Sequence, residues 1–238
     1  MSIAVHQAAC HMENQMRSMD VVANNLANAN TPGFRRMVSH FSTRHIDTQA
    51  SDRTEATFPH IGMSHIDYTQ GPFQRTGREL DVAINGEGFM AVETDDGLRL
   101  TRKGRMYMDR DGELRDASGN VFSADVGALQ IPEEWSDLVI DSQGNVSADG
   151  EELGQLTLFS VPDRENLRSL GDGLYEYVGD NLEEDLDSEL IQGAVEQSNV
   201  EPVNEMVNLI KASRSYEAGT RLLERIDRLE GAVINQSS

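Results

Sequence analysis

The stretch from Val5 to Leu26 constrains this chain more than any other. Steps of four and three residues lead from Val5 through Ala9, Met12, Met16, Met19 and Ala23 to Leu26. This is an unbroken apolar heptad with polar or small residues over most of the opposite face. So narrow a seam predicts a partner helix. The helix is expected from Ile3 to about Asn28, roughly 40 Å at ~1.5 Å per residue. It stops hard, because Asn28-Ala29-Asn30-Thr31-Pro32-Gly33-Phe34 puts weak helix formers at the end, biases Thr31 to extended backbone before proline and leaves a glycine free to turn.

A second helix of the same character closes the chain, from about Pro202 to Val233. Proline suits the first helical position, and Glu205 places negative charge in the first turn. Ser198-Asn199-Val200-Glu201 has the form of a capping box, but Pro202 would then fall where a backbone N–H is needed, so the start is expected near Glu201. The seam here is Leu209, Ala212, Tyr216, Gly219, Leu223, Ile226 and Val233, broken near the end by Glu230. Ala212 and Gly219 leave room for a close neighbour. Glu217 with Arg221, and Glu224 with Arg228, are i,i+4 pairs in the favourable order. The two seams predict a coiled-coil-like pair, within the chain or between chains.

Between the helices the texture is different. Residues 35–70 show no sustained period and read as an extended linker. Residues 71–162 alternate short apolar runs, such as Asp81 to Ile84, Phe89 to Glu93 and Leu156 to Val161, with turn pairs such as Asp111-Gly112, Ser118-Gly119 and Asp149-Gly150. That pattern predicts a compact all-β domain. Residues 163–200 turn polar again, with six acidic residues between Asp180 and Glu189, and read as an acidic linker returning to the helix at 201–238. The expected class is α+β, with helical ends (1–34 and 201–238) around a central β domain.

Composition removes several functions. With 41 acidic residues, 20 basic ones and a net charge of -21, the chain is a poor ligand for nucleic acid. Cys10 is the only cysteine, so neither an internal disulfide nor a thiolate metal cluster is expected. The six histidines fall in pairs five apart (His6 with His11, His40 with His45, His60 with His65), a step that matches neither one helix face nor one strand face, and no metal site is assigned. Asp109 to Glu113 glances at a calcium loop but lacks its carboxylate offsets and is read as a hairpin turn. Gly86-Glu87-Gly88-Phe89 lacks the third glycine and the following helix of a phosphate loop, and is also read as a turn. Trp135 is expected to anchor a core or its rim. No catalytic constellation and no cofactor motif is present. No apolar run is long enough to span a membrane, and the first basic residue, Arg17, comes too late for a cleaved signal peptide.

Several blocks together resemble one family. Asn24-Asn25-Leu26-Ala27-Asn28 with Thr31-Pro32-Gly33-Phe34 is similar to the signature of flagellar basal-body rod and hook proteins. Three further blocks agree and keep the family's order: Thr76-Gly77-Arg78-Glu79-Leu80-Asp81-Val82-Ala83-Ile84 leading into Gly86-Glu87-Gly88-Phe89; Thr101-Arg102 with Gly104; and Gly193 to Val200 followed by Glu205-Met206-Val207 and Arg214-Ser215-Tyr216-Glu217. Met90 departs from the second aromatic that many members carry there.

The resemblance implies an axial subunit of the basal-body rod. It would be exported by the flagellar type III apparatus without signal cleavage, with helices in an inner tube and the β domain outside. The chain is most similar to proximal rod subunits, then to distal ones, and its length disfavours the hook protein. On this reading the seam residues and the amides of Asn24, Asn25, Asn28 and Asn30 contact adjacent rod or hook subunits. Phe34 and Val38 match a Phe-x-x-x-hydrophobic pattern presented to the export gate; simple packing accounts for them equally well. A different class of function, a β domain that binds a cell-wall or metal ligand on a helical stalk, stays open on the residues alone.

Overall fold

The computed structural model describes residues 3–39, 41–46, 56–61, 65–179 and 182–236. The chain divides into two compact units. One holds residues 1–29, 36–68 and 200–238; the other holds 30–35 and 69–199.

The helical unit is built on α1 (Ile3–Ala27) and α2 (Pro202–Gln236). The asparagine-rich stop ends α1, where the backbone N–H of Asn28 is shared between the carbonyls of Asn24 and Asn25 at 3.1 Å each. Pro202 takes the first helical position of α2. The helices pack against each other antiparallel. Met12 meets Gly219, and His11 Nε2 lies 3.1 Å from Ser215 Oγ; nearer the other end, Val22 and Asn25 share a groove with Glu205 and Asn208. The stretch after α1, expected as a linker, carries two antiparallel strand pairs among the described residues. Met37–Val38 pairs with His65–Ile66, and Phe41–Ile46 pairs with Ala56–Ile61. Their apolar residues are too thinly spread among Ser, Thr, Arg and His to show a period.

The β unit is antiparallel throughout. Its main sheet runs Leu167–Gly171, Leu174–Tyr177, Gly97–Thr101, Phe89–Thr94, Val121–Ala124, Leu114–Arg115, Tyr107–Met108. Beside it stands a three-stranded meander of Leu138–Ile140, Asn145–Ala148 and Glu151–Gln155. Alternation across the pleat is visible at Leu138 and Ile140, both buried, with Val139 between them 41% exposed. One core collects Val82, Ile84, Met90, Phe122, Leu138 and Leu158 from these layers, and Trp135 packs at its margin, donating its indole N–H to Glu79 at 3.2 Å.

The polar stretch from Asp163, expected as a linker, instead continues the main sheet. Tyr175 pairs with Leu100 and sets its ring edge-on to Phe89 at 5.7 Å and 70°. Only Leu167 and Tyr175 of these two added strands are buried, so the segment reads as polar although it is sheet.

Three turns repeat one device. Asp109, Asp116 and Asp141 each start an Asp-x-x-Gly turn, and in each the carboxylate Oδ1 accepts the backbone N–H groups two and four residues on, at 2.8 to 3.0 Å. The loop at Asp109 to Glu113 is therefore a hairpin turn whose first carboxylate is engaged by its own backbone.

Candidate functional site

In α1 the apolar heptad and the face turned to α2 are not the same. Residues meeting or sharing the groove with α2 are His11, Met12, Gln15, Ser18, Val21, Val22 and Asn25. Most lie one position back from the heptad, a rotation of about 100° at ~3.6 residues per turn. Of the seam residues, Met16 is 51% exposed, Ala9 and Ala23 are exposed, and Val5, Met12, Met19 and Leu26 are half-buried. In α2 the seam does face inward. Ala212 and Gly219 are buried, while Leu209, Tyr216, Leu223 and Ile226 are half-buried; the Val233 side chain lies outside the described residues. Gly219 is a close-approach position, because a Cβ there would stand 2.8 Å from Met12 Cγ.

The asparagines divide by role. Asn25, buried, grips the backbone of Met37 from both sides: its Nδ2 donates to the Met37 carbonyl and its Oδ1 accepts the Met37 N–H, both at 2.8 Å. This imitates a neighbouring strand and explains why a polar residue occupies an inward position of the helix. Asn28 Nδ2 donates to the Asn24 carbonyl at 3.0 Å, while Asn24 and Asn30 are exposed. From α2, Glu205 accepts from Arg36 Nε at 2.7 Å. Residues 36 and 37 are thus held by one side chain from each helix. Phe34 and Val38 are both half-buried, the first in the β unit and the second in the helical unit. Of the six histidines, side chains are described at His11 and His65 alone, so the paired-histidine reading lies largely outside the described residues.

In the β unit, the sequence blocks converge on a buried ion triad. Glu196, 1% exposed, lies 2.6 Å from Arg35 Nη1 through Oε1 and 2.8 Å from Arg102 Nη2 through Oε2, and Oε1 also accepts the Gly71 N–H at 2.9 Å. Arg102 further donates to the carbonyls of Ile84 (3.1 Å), Gly86 (3.0 Å) and Gly88. The Gly86 to Phe89 turn therefore offers carbonyl oxygens to a guanidinium rather than N–H groups to a phosphate. Arg35 donates to the Thr69 carbonyl at 2.5 Å. Burial pulls the Arg35 pKa below its ordinary value; Glu196 opposes that shift and Arg102 adds to it. Gly33 completes the junction with φ +71°, its N–H on the Glu196 carbonyl at 2.8 Å, and a Cβ there would meet the Arg102 backbone at 2.7 Å. No periodicity argument finds this triad. The signal available was that Arg102 and Glu196 sit inside the recurrent blocks while Arg35 directly follows one.

Charge is unevenly shared. The helical unit contains 9 basic and 12 acidic residues, the β unit 11 and 29.

Three family profiles match, in order along the chain. "Flagella basal body rod protein" covers residues 12–35, "Flagellar hook protein FlgE/F/G D1 domain" covers 83–148 and "Flagellar basal body rod FlgEFG protein C-terminal" covers 191–236. A flagellar basal-body rod protein FlgF of Caulobacter vibrioides is 30% identical over 227 residues, spanning 92% of this chain and 91% of the relative. A rod protein FlgG of Agrobacterium fabrum is 31% identical over 255 positions, spanning 95% and 96%. The chain belongs to the flagellar basal-body rod protein family. Within this rod protein each member of the buried triad falls in a different matched segment: Arg35 in the first, Arg102 in the second, Glu196 in the third. The recurrent blocks of the rod family are thus, in part, the parts of one buried junction.

Proposed function

We propose that this rod protein is a proximal, FlgF-type structural subunit of the flagellar basal body that polymerises through α1 and α2 into the axial shaft required for motility. The observation that carries this reading is the α1 heptad itself. α2 uses only part of it: Met12 meets Gly219, whereas Met16 is 51% exposed and Ala9 and Ala23 face outward. At the start of α2, Val203, Met206, Val207 and Ile210 are 45 to 72% exposed. Apolar helix faces left open on a subunit are what a head-to-tail, non-closing assembly needs. The near balance of charge in the helical unit supports the same role, because close packing of copies there meets little repulsion, whereas the acidic β unit suits an outer, solvated layer.

The proximal, FlgF-type assignment rests on the resemblance of the sequence blocks, with a distal FlgG-type subunit the alternative reading, since relatives of both names match over more than nine-tenths of this chain. Export through the flagellar type III apparatus without signal cleavage, with Phe34 and Val38 presented to the export gate, belongs to the same proposal.

The test is Met16→Asp, which removes apolar surface without touching α2. Swimming and incorporation into purified basal bodies should be lost while the β unit keeps its thermal transition. Normal swimming with full incorporation would overturn the assignment of this face.

A further inference from the structure

We infer that an arginine patch on the β unit is a docking site for the acidic tip of the same unit in a second copy of this chain. The inference rests on the rod reading above and names one contact within it. Several cations of the β unit are matched by accessible carboxylates of their own chain: Arg99 pairs with Glu176, Lys103 with Asp172, Arg115 with Asp109 and Glu113, and Arg164 with Glu87. Around Asp81 the balance is reversed. Arg78 Nη1 lies 3.0 Å and Arg105 Nε 3.9 Å from the same Asp81 Oδ1, and that carboxylate is fully buried while the two arginine side chains are 45% and 42% exposed. The Arg78 guanidinium stands over the Tyr107 ring at 5.4 Å, and Tyr107 is itself exposed. Arg75, three residues earlier, is exposed and has no ion pair among the described residues. Glu79, the exposed carboxylate nearest in sequence, accepts from the indole of Trp135. Guanidinium groups beside an aromatic ring suit carboxylates that flank an apolar side chain.

The same strand pair carries the matching groups at its other end. Val82–Asn85, which directly follows Asp81, pairs with Glu189–Gln192 so that Val82 stands opposite Gln192 and Asn85 opposite Glu189. The patch lies at one end of this pair and the turn leading into Glu189 at the other, roughly 13 Å along at ~3.3 Å per residue. That turn carries Glu183, Glu184, Asp185 and Asp187 around Leu186, which at 89% is the most exposed large apolar residue among the described residues. Asp185 holds its shape, the Oδ1 accepting the N–H groups of Asp187 at 2.9 Å and Ser188 at 3.2 Å. Glu183, Glu184 and Asp187 are exposed and have no ion pair among the described residues. Other exposed acidic pairs, Asp95-Asp96, Glu133-Glu134 and Glu151-Glu152, offer two carboxylates each, and none flanks an apolar residue so exposed. In a unit of 29 acidic and 11 basic residues, two copies meet without repulsion where cations are gathered. The tip of one copy on the patch of the next joins two different surfaces, a contact that repeats along a helical assembly without closing.

The experiment places a photo-crosslinking benzoylphenylalanine at Leu186 in the full chain in motile cells. The expected product has twice the subunit mass, with the crosslinked peptide containing Tyr107. Arg75→Glu and Glu184→Lys, at exposed positions without an ion pair, should each lower the yield per incorporated subunit about fivefold, as expected when one exposed ion pair gives way to a like-charge contact. Thermal unfolding of the purified variants checks that the fold is unchanged. A crosslinked peptide from elsewhere in the chain, an adduct only with a different protein, a yield unchanged in either variant, or no adduct while the subunit still enters basal bodies would each overturn this contact and leave the rod reading standing. Absence of the wild-type chain from purified basal bodies would overturn the rod reading, and this inference with it.

Discussion

Arg35 and Arg36, neighbours in the chain, engage different carboxylates. Arg35 lies 2.6 Å from Glu196, and Arg36 donates to Glu205 at 2.7 Å. The first pair is almost fully buried, and Glu196 there balances two guanidinium groups with one carboxylate. Taking away the carboxylate leaves both cations uncompensated, whereas taking away one cation leaves a balanced pair.

Glu196→Ala is therefore expected to destabilise the β unit by about 3–5 kcal/mol, the range for breaking a buried ion pair from one side. Arg35→Met, which keeps much of the side-chain volume and leaves Arg102 with Glu196, should cost clearly less. Urea unfolding followed by the fluorescence of Trp135 measures both. Equal losses in the two variants would mean that Arg102 alone does not satisfy the carboxylate.

Asn25 has a different kind of role. Its amide supplies both bonds to the Met37 backbone from an almost fully buried position. Asn25→Ala would strand those two groups, at about 1–3 kcal/mol for each one left buried without a partner. Hydrogen exchange at the Met37 amide should quicken accordingly, while exchange in the β unit stays unchanged. Asn25→Asp should not rescue it, because a carboxylate accepts the Met37 N–H but repels the Met37 carbonyl.

The contrast between these residues shows which parts of the structure are legible in sequence. Helix ends are legible because local chemistry sets them: Pro202 can occupy the first turn of α2, and the asparagines before Thr31-Pro32-Gly33 cannot prolong α1. Turns are legible because Asp-x-x-Gly carries its own hydrogen bonds. The orientation of α1 is not, since a heptad identifies an apolar face without saying whether its partner is α2 or another molecule. Here the inward face is set by Asn25 and Met37, a side chain bonding to backbone twelve residues away. The triad is hidden for a related reason: Arg35, Arg102 and Glu196 share no period, and only the fold brings them together. The strands at Leu167–Gly171 and Leu174–Tyr177 escape because sheet pairing is a backbone property that a mostly polar sequence can still adopt.

Gly33 tests whether the Thr-Pro-Gly-Phe turn has a structural reason. Its φ of +71° is unfavourable for any residue with a Cβ, and an added Cβ would come 2.7 Å from the Arg102 backbone, which cannot swing aside as a flexible side chain would. Gly33→Ala should cost at least the ~1–3 kcal/mol of a strained backbone position. Gly119→Ala, at φ +92° with nothing nearby, should show the conformational strain alone and so lose less. Thermal unfolding of the two variants side by side gives the comparison, and equal losses would remove close approach to Arg102 as the reason for glycine.

Acid should expose the Asp-x-x-Gly turns. The Asp141 carboxyl is held below its ordinary value of 3.8, first by the side-chain hydrogen bond from Asn145 and then by backbone N–H groups, with partial desolvation working the other way. Because the folded value is the lower one, this carboxylate stabilises the fold fully above the ordinary value, and that contribution is lost as pH falls through the depressed value. Asp109, lowered chiefly by Arg115, and Asp172, lowered chiefly by Lys103, act in the same direction and window. The chain should therefore lose stability on acidification below about pH 4, in addition to any change from its net charge. Asn145→Ala removes the largest cause at Asp141, so its titration, followed by carboxyl carbon NMR, should move up towards the ordinary value and the acid loss should shrink. An unmoved titration would assign the depression to the turn's backbone N–H groups alone.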